Sequence, residues 1–346
     1  MKIMYQINSL ETVYAARFIY EGYKDAFLEK GHEFFTYTAN SNLEQMLKTI
    51  RPDIFITSLN DYNLKFLNLE TLAKYRKKGL IMFTQIRPWK KQNNQFGGSD
   101  LQNSYHLVKL IKEGKAGDIF FHWLEQDDSS MVGFTENTGY KFETILLAAN
   151  TKKYYYEYDK SFACDISFVG SYLPDKYKFI KSYVKPLMKK YNFKVYGSDW
   201  TLGNRMLGLI QKGAQYFNIN ALKGVREMQL SLEDEHKVYS SSTISLNIHE
   251  SHQRKYGSDF NERTLKIIAS GGFEICDNVA VLRKYFNESE LIIAKSSNDW
   301  FEKIDFYLQN PEKRIKIIKA GMEKVLDQHT YHNRVDQIIS IYNKQK

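Results

Sequence analysis

Short apolar runs alternate with helical stretches along nearly the whole chain, and that alternation leaves few folds open. Lys2–Ile7 reads as a buried strand, and Thr12–Lys30 as an amphipathic helix stopped by Gly31, which suits the left-handed residue after a helix. His32–Thr38, Asp53–Ser58, Leu80–Gln85 and Asp118–Trp123 read as further strands. Asn42–Ile50, Leu64–Lys78 and Leu101–Glu113 read as the helices between them. The scheme resumes with strands at Asp165–Gly170, Phe193–Gly197, Ile244–His249, Phe273–Cys276 and Leu291–Ala294. Its helices are expected at Asp175–Tyr191, Leu232–Ser240 and Glu262–Ser270, then at Asp299–Gln309, Pro311–Gln328 and Tyr331–Asn343. Pro186 should kink or break the first of these, whereas Pro311 suits a first helical position. Strands joined by helices pair in parallel and carry helices on both faces.

A length of 346 residues suits two such units. The expected fold class is therefore α/β, with two Rossmann-like doubly wound domains facing a cleft. The first spans 1–158 and the second 159–330, with the Tyr- and Lys-rich stretch Thr151–Phe162 as candidate linker. Ligands in such sheets sit beyond the carboxyl ends of the strands.

The net charge of +9 points to acidic partners or to a solvated basic face. The lysines are spread rather than packed into a block, so no nucleic acid is expected as partner. A nucleotide-sugar, or peripheral contact with an anionic membrane, suits the balance better. Cys164 and Cys276 sit in apolar runs and read as free buried thiols of a reducing compartment. Met1–Leu10 lacks a signal-peptide core, and no run approaches the roughly 18 apolar residues of a membrane span. The expected location is cytoplasmic.

Asn261–Gly272, read N-E-R-T-L-K-I-I-A-S-G-G, looks like a helix entered by an arginine and closed by a glycine pair before a buried strand. A helix start offers unpaired N–H groups, and a cation there opposes the helix dipole unless an anion sits between them. Arg263 therefore points to a diphosphate; the plain alternative is a surface arginine. Phe168–Tyr172 and Val195–Trp200 each run from a strand into a glycine turn, where a phosphate or sugar can approach the backbone. The plain alternative is a simple strand-to-helix turn. Trp200 suits a base-stacking wall or the core equally. Asn247-Ile248-His249-Glu250 ends a strand in polar residues, and His249 reads as a donor or acid–base group. His249 and His252 are too weak a pair for a metal site, and Asp127-Asp128 reads as solvated loop, so no metal is expected.

Taken together, these stretches resemble the CgeB-like (spore maturation protein) glycosyltransferases of the group 1 type. The resemblance rests on F-V-G-S (168–171), V-Y-G-S-D-W (195–200), I-S-L-N-I-H (244–249) and N-E-R-T-L-K-I-I-A-S-G-G-F-E-I-C-D (261–277). It continues through F-Y-L-Q-N-P-E-K-R (306–314) and H-T-Y-H-N-R (329–334), and is loose in the first half. It implies a GT-B fold in which the second domain binds a nucleotide-sugar donor, UDP-linked, and the first an acceptor. The acceptor would be a carbohydrate, lipid-linked or protein group. The final helix, 331–346, would pack back on the first domain, and no bound metal or other cofactor would be needed. The donor set implied is Gly170, Ser171, Tyr172, Gly197, Ser198, Trp200, Asn247, His249, Asn261, Arg263, Thr264, Lys266, Gly271 and Gly272, with Lys176 or Lys178 as additions.

Two positions depart from the family pattern. Lys266 stands where relatives carry a glutamate for the donor ribose, and a lysine cannot accept hydrogen bonds from a diol. Arg87 stands near the place of an acidic residue after the fourth strand, so no catalytic base is assigned beyond His249. The alternative reading is a catalytically inactive nucleotide- or sugar-binding protein on the same fold.

Overall fold

The computed structural model describes residues 1–8, 10, 15–91, 100–172, 176–217, 219–222 and 230–346. Thr12 and Asp175, the expected first residues of two helices, lie outside these. The chain divides into two compact units, Met1–Asn150 with Gln328–Lys346, and Thr151–Asp327.

The first unit holds a six-stranded sheet of order β2-β1-β3-β4-β5-β6. Its strands are β1 (Lys2–Gln6), β2 (Glu33–Tyr37), β3 (Ile54–Ser58), β4 (Ile81–Gln85), β5 (Ile119–His122) and β6 (Phe142–Thr144). Every pairing is parallel. The near-continuous apolar character of Ile54–Ser58 and Ile119–His122 has a simple cause: helices cover both faces of such a sheet. One face buries Ile3, Ile56 and Phe83 under the helix Ala15–Glu29 and the final helix Tyr331–Gln345. Gln337 of the final helix reaches the carbonyl of Thr144 at the end of β6. Arg334, which is buried, donates to the carbonyl of Leu146.

The second unit holds a five-stranded sheet of order β11-β10-β9-β7-β8, again wholly parallel. The strands are β7 (Cys164–Val169), β8 (Phe193–Tyr196), β9 (Ser242–Asn247), β10 (Glu274–Asp277) and β11 (Ile292–Ala294). Chain order runs outward from β7 to β8 on one side and from β9 through β10 to β11 on the other. The switch point thus lies between β7 and β9, where a doubly wound sheet opens a crevice.

Three stretches bear on the expectations from sequence. The stretch Thr151–Phe162, the candidate linker, falls in the second unit and packs within it, as its tyrosines suggest. Tyr154 is buried in it and donates to Glu235, and the backbone of Glu157 and Asp159 donates to Ser240 and Ser241. Ahead of Pro186 the regular α-helix is interrupted. A wider π-turn at Ile180–Val184 precedes the helix Lys185–Lys190, which makes room for the proline ring that a regular α-turn would crowd. Finally, a helix at Leu202–Tyr216 was not expected at all. Thr201 caps it through Asn204 N–H at 3.2 Å.

The contact between the two helices of the first unit depends on Gly22, since a Cβ there would lie 2.2 Å from the ring of Tyr331. Gly22→Ala should therefore destabilise by about 2 kcal/mol from overpacking, although alanine is by itself the better helix former by about 1 kcal/mol. A urea unfolding midpoint equal to or above that of the wild type would contradict this packing.

Candidate functional site

At the carboxyl ends of β7 and β8 the two glycine turns lock to each other. Gly170 N–H donates to Tyr196 at 2.7 Å and Tyr172 N–H to Ser198 at 2.9 Å. The hydroxyls of Ser171 and Ser198 are 2.5 Å apart. Gly197 is required here, because a Cβ would lie 2.2 Å from the Gly170 carbonyl oxygen. Trp200 closes the turn: its indole N–H donates to Gly170 at 2.7 Å, and its ring packs against Phe168 and Tyr172.

Beside this turn, the end of β9 organises a polar network around Asn247. The buried Asn247 amide nitrogen lies 2.9 Å from Glu274 Oε1 and 3.0 Å from both Thr264 Oγ1 and Asn261 Oδ1, three acceptors that share its two N–H groups. Its Oδ1 accepts from Asn261 and from Arg263 Nη1, each at 3.0 Å. Thr264 also donates to Glu274 at 2.9 Å. Burial pushes the Glu274 carboxyl up, against the hydrogen bonds from Asn247 and Thr264 and the charge of Arg263. Arg263 is half-buried, lies over the Phe168 ring at 5.9 Å, and its Nη2 would sit 3.4 Å from a Cβ on Gly170. Among the described residues it has no carboxylate within ion-pair distance.

A second group adjoins the first. Lys176, 4% exposed, donates to the carbonyl of Ile248 at 3.2 Å and pairs with Glu250 at 2.9 Å. Its ammonium pKa is lowered, chiefly by burial and then by the charge of Arg263, against the pull of Glu250. Two cations therefore face one region. Lys178, the other lysine considered, is exposed. His249 is completely buried; its Nδ1 lies 2.6 Å from Asp277 Oδ1, and its backbone N–H donates to the same carboxylate at 3.0 Å. Arg254 donates to the His249 carbonyl and approaches Asp277 at 3.4 Å. Burial works to raise the Asp277 carboxyl, but His249 and Arg254 outweigh it and leave it lowered. His249 Nε2 is buried with no partner among the described residues.

The remaining residues of the expected donor set lie elsewhere. The helix Arg263–Ala269 has only seven residues, so the charge at its start comes from side chains more than from a helix dipole. Lys266, one turn on, is buried against Glu262 at 2.8 Å and Glu235 at 3.7 Å. Glu235 also accepts from Tyr154 at 2.8 Å and Tyr239 at 2.7 Å. Gly271 and Gly272 end the helix at the opposite, amino-terminal edge of the sheet. Gly271 has φ +70°, and a Cβ there would meet Tyr156 at 2.9 Å; one on Gly272 would meet Ile267 at 2.9 Å. They serve close packing and are not brought to Arg263.

Glu274, Asp277, Glu250 and Arg254 were not singled out from the sequence. A charged residue inside the apolar run F-E-I-C-D was the available signal for the first two. The first unit has its own polar set at the ends of β1, β3 and β4. Thr57 donates to Gln6 at 2.5 Å, Asn8 to Asn63 at 2.7 Å and Ser58 to Gln85 at 2.9 Å. The switch point of that sheet lies there, between β1 and β3.

Residues 178–340 match a family model described as glycosyl transferase-like. No curated protein sequence matches the chain. Among solved structures, the chain is similar to sucrose-phosphate synthase from Thermosynechococcus elongatus, at 12% identity and TM-score 0.63 over 99% of this chain and 98% of that one. It is similar to an alpha-glucosyltransferase in complex with UDP, at 12% identity and TM-score 0.64 over 99% of both chains. It is also similar to the catalytic domain of starch synthase IV from Arabidopsis thaliana bound to ADP and acarbose, at 10% identity and TM-score 0.63 over 99% of both. The fold is GT-B.

The Lys266–Glu235 pair generates a stability prediction. Lys266→Met leaves a buried carboxylate with two tyrosines and no ammonium, which should cost about 3 kcal/mol. Adding Glu235→Gln should recover much of that loss. The Glu235 carboxyl is lowered overall: burial raises it, but Lys266, Tyr239 and Tyr154 together lower it more. A depressed folded pKa adds stability above the ordinary value of 4.5 that is lost as pH falls through the folded value. The stability gap between wild type and Glu235→Gln should thus be full near neutrality and shrink below about pH 4.5. A gap that widens in acid, read by denaturant titration, would contradict the pairing.

Proposed function

We propose that this protein is a glycosyltransferase that moves a sugar from a nucleotide-diphosphate donor, UDP-linked, to a carbohydrate, lipid-linked or protein acceptor. The observation that carries this reading is the Arg263 guanidinium. It is aimed by Asn247, lacks a carboxylate partner among the described residues, and sits beside the Gly170 turn at the switch point of the second sheet. Lys176 adds a second cation whose charge burial and Arg263 both disfavour. A bound diphosphate would relieve both. The glycosyl transferase-like family match over 178–340 and the GT-B fold support the same reading.

In this reading the donor diphosphate lies between Arg263, Lys176 and the backbone of Gly170–Tyr172. As the bond from sugar to diphosphate breaks, negative charge grows on the leaving oxygens, and two fixed cations in a partly dry site favour that state over the ground state. Metal would not be required. Ser171, Ser198 and Trp200 shape the turn, while Asn261, Asn247 and Thr264 hold Arg263 in place. His249, bonded to Asp277 and wholly buried, orients the end of β9; its Nε2 and the Oε2 of Glu274 are the buried acid–base atoms of the cluster without a hydrogen-bond partner among the described residues. The CgeB-like subfamily, a cytoplasmic location and an acceptor other than nucleic acid belong to the same proposal.

A second reading is favoured by one observation. Lys266 occupies the ribose-glutamate position and is committed to Glu262 and Glu235, which suits a protein that binds a nucleotide-sugar without turning it over. Steady release of free nucleotide from a panel of nucleotide-sugars with candidate acceptors supports the enzyme; saturable binding without release supports the binder.

Both readings share one prediction. Arg263→Ala should weaken binding of UDP about 100-fold by calorimetry, the loss typical of one charged partner in a buried pair. Arg263→Lys keeps the charge without the fork and should retain part of the affinity. Equal affinity of Arg263→Ala and wild type would remove the diphosphate from this site.

A further inference from the structure

The positive charge of this protein is concentrated in one stretch. Between Lys176 and Leu222 there are nine lysines and arginines and a single carboxylate, Asp199, so this stretch holds +8 of the net +9. Lys178, Lys181, Lys185, Lys189 and Lys190 are all exposed along the segment 177–190.

The same stretch carries the most exposed apolar side chains among the described residues of the second unit. On the helix Leu202–Tyr216, Leu202 is 77%, Met206 64%, Leu209 69% and Ile210 45% exposed. Their spacing places them on one stripe of the helix. Phe217, just beyond its end, is 70% exposed, and Ile219 and Leu222 continue the apolar surface. A Cβ built on Gly203 or Gly213 of this helix would meet nothing within 4 Å.

The basic and apolar parts adjoin. The Arg205 guanidinium lies 4.9 Å from the centroid of the Tyr172 ring, and the Lys185 ammonium lies 5.6 Å from it. Arg205 is also 5.9 Å from the Tyr177 ring. The first turn of the Leu202–Tyr216 helix and the lysine-rich segment therefore share one aromatic anchor.

We propose that this surface docks on an anionic lipid bilayer, with Met206, Leu209, Ile210 and Phe217 entering the interface and the lysines of 177–190 facing the headgroups. An amphipathic helix flanked by cations is the form that binds such an interface. A nucleic acid would answer the charge but leaves the aliphatic stripe without a partner, since phosphates and base edges are bound by polar groups. A second copy of the chain would answer the stripe but sets +8 against +8. The proposal does not depend on the transferase reading. Because Trp200 and Tyr172 belong to the turn at Gly170, docking would hold that turn close to the bilayer.

The test is vesicle flotation of the full chain. Wild type should float with equimolar phosphatidylcholine and phosphatidylglycerol, and about tenfold less with phosphatidylcholine alone. Met206→Ser with Leu209→Ser should cut binding to the mixed vesicles about tenfold while leaving its salt dependence in place. Lys181→Glu with Lys189→Glu should also weaken it, and flatten the salt dependence. UDP affinity should be unchanged in both variants, which keeps a failure here separate from a failure at Arg263. Equal binding to both vesicle types would overturn the proposal. So would duplex DNA binding that is tighter than vesicle binding and indifferent to the serine variants, or self-association abolished by the serine variants with no flotation.

Discussion

The side-chain amide of Asn247 ties the second unit together at its functional end. It stands at the last position of β9, and its two polar atoms reach Glu274 on β10 and Asn261, Arg263 and Thr264 at the start of the following helix. A buried amide left unsatisfied costs a full desolvation penalty, so each partner constrains the others. With Asn247 in place, the arginine is aimed at the Gly170 turn. Without it, Arg263 and Glu274 would lose the neutral bridge that lets them share a buried region without direct contact.

Charge pairing separates the compensated cations of the second unit from the uncompensated one. Arg254 is compensated by Asp277, Lys266 by Glu262 and Glu235, and Lys176 by Glu250. Arg263 is the cation of this neighbourhood with no carboxylate among the described residues, and Lys176 feels its repulsion. That imbalance, placed at a sheet switch point, is what an incoming diphosphate would correct. The charge of the second unit is uneven on a larger scale too, since its basic stretch lies on the segments next to the same turn.

Much of this was legible in the sequence, for reasons of period and spacing. Apolar runs set the strands, glycines marked Gly170 and Gly197, and Arg263 stood out as a cation at a helix start. What was hidden depended on contacts across the fold. Glu274 and Asp277 sit in an apolar strand whose neighbours, Asn247 and His249, are distant in sequence. Gly271 and Gly272 looked like ligand glycines because local sequence does not say which edge of the sheet a helix end occupies. Lys176 and Lys178 are alike on paper and separate only by burial. The helix Leu202–Tyr216 escaped notice because Gly203, Gly208 and Gly213 lower its propensity and its apolar stripe has no core to face.

A crystal structure of the full chain with UDP bound would decide whether Arg263 holds the diphosphate. The diphosphate should lie within hydrogen-bond reach of the Arg263 guanidinium and of the backbone at Gly170–Tyr172, with Lys176 turned toward it. A diphosphate bound elsewhere, with Arg263 still held only by Asn247, would contradict that placement.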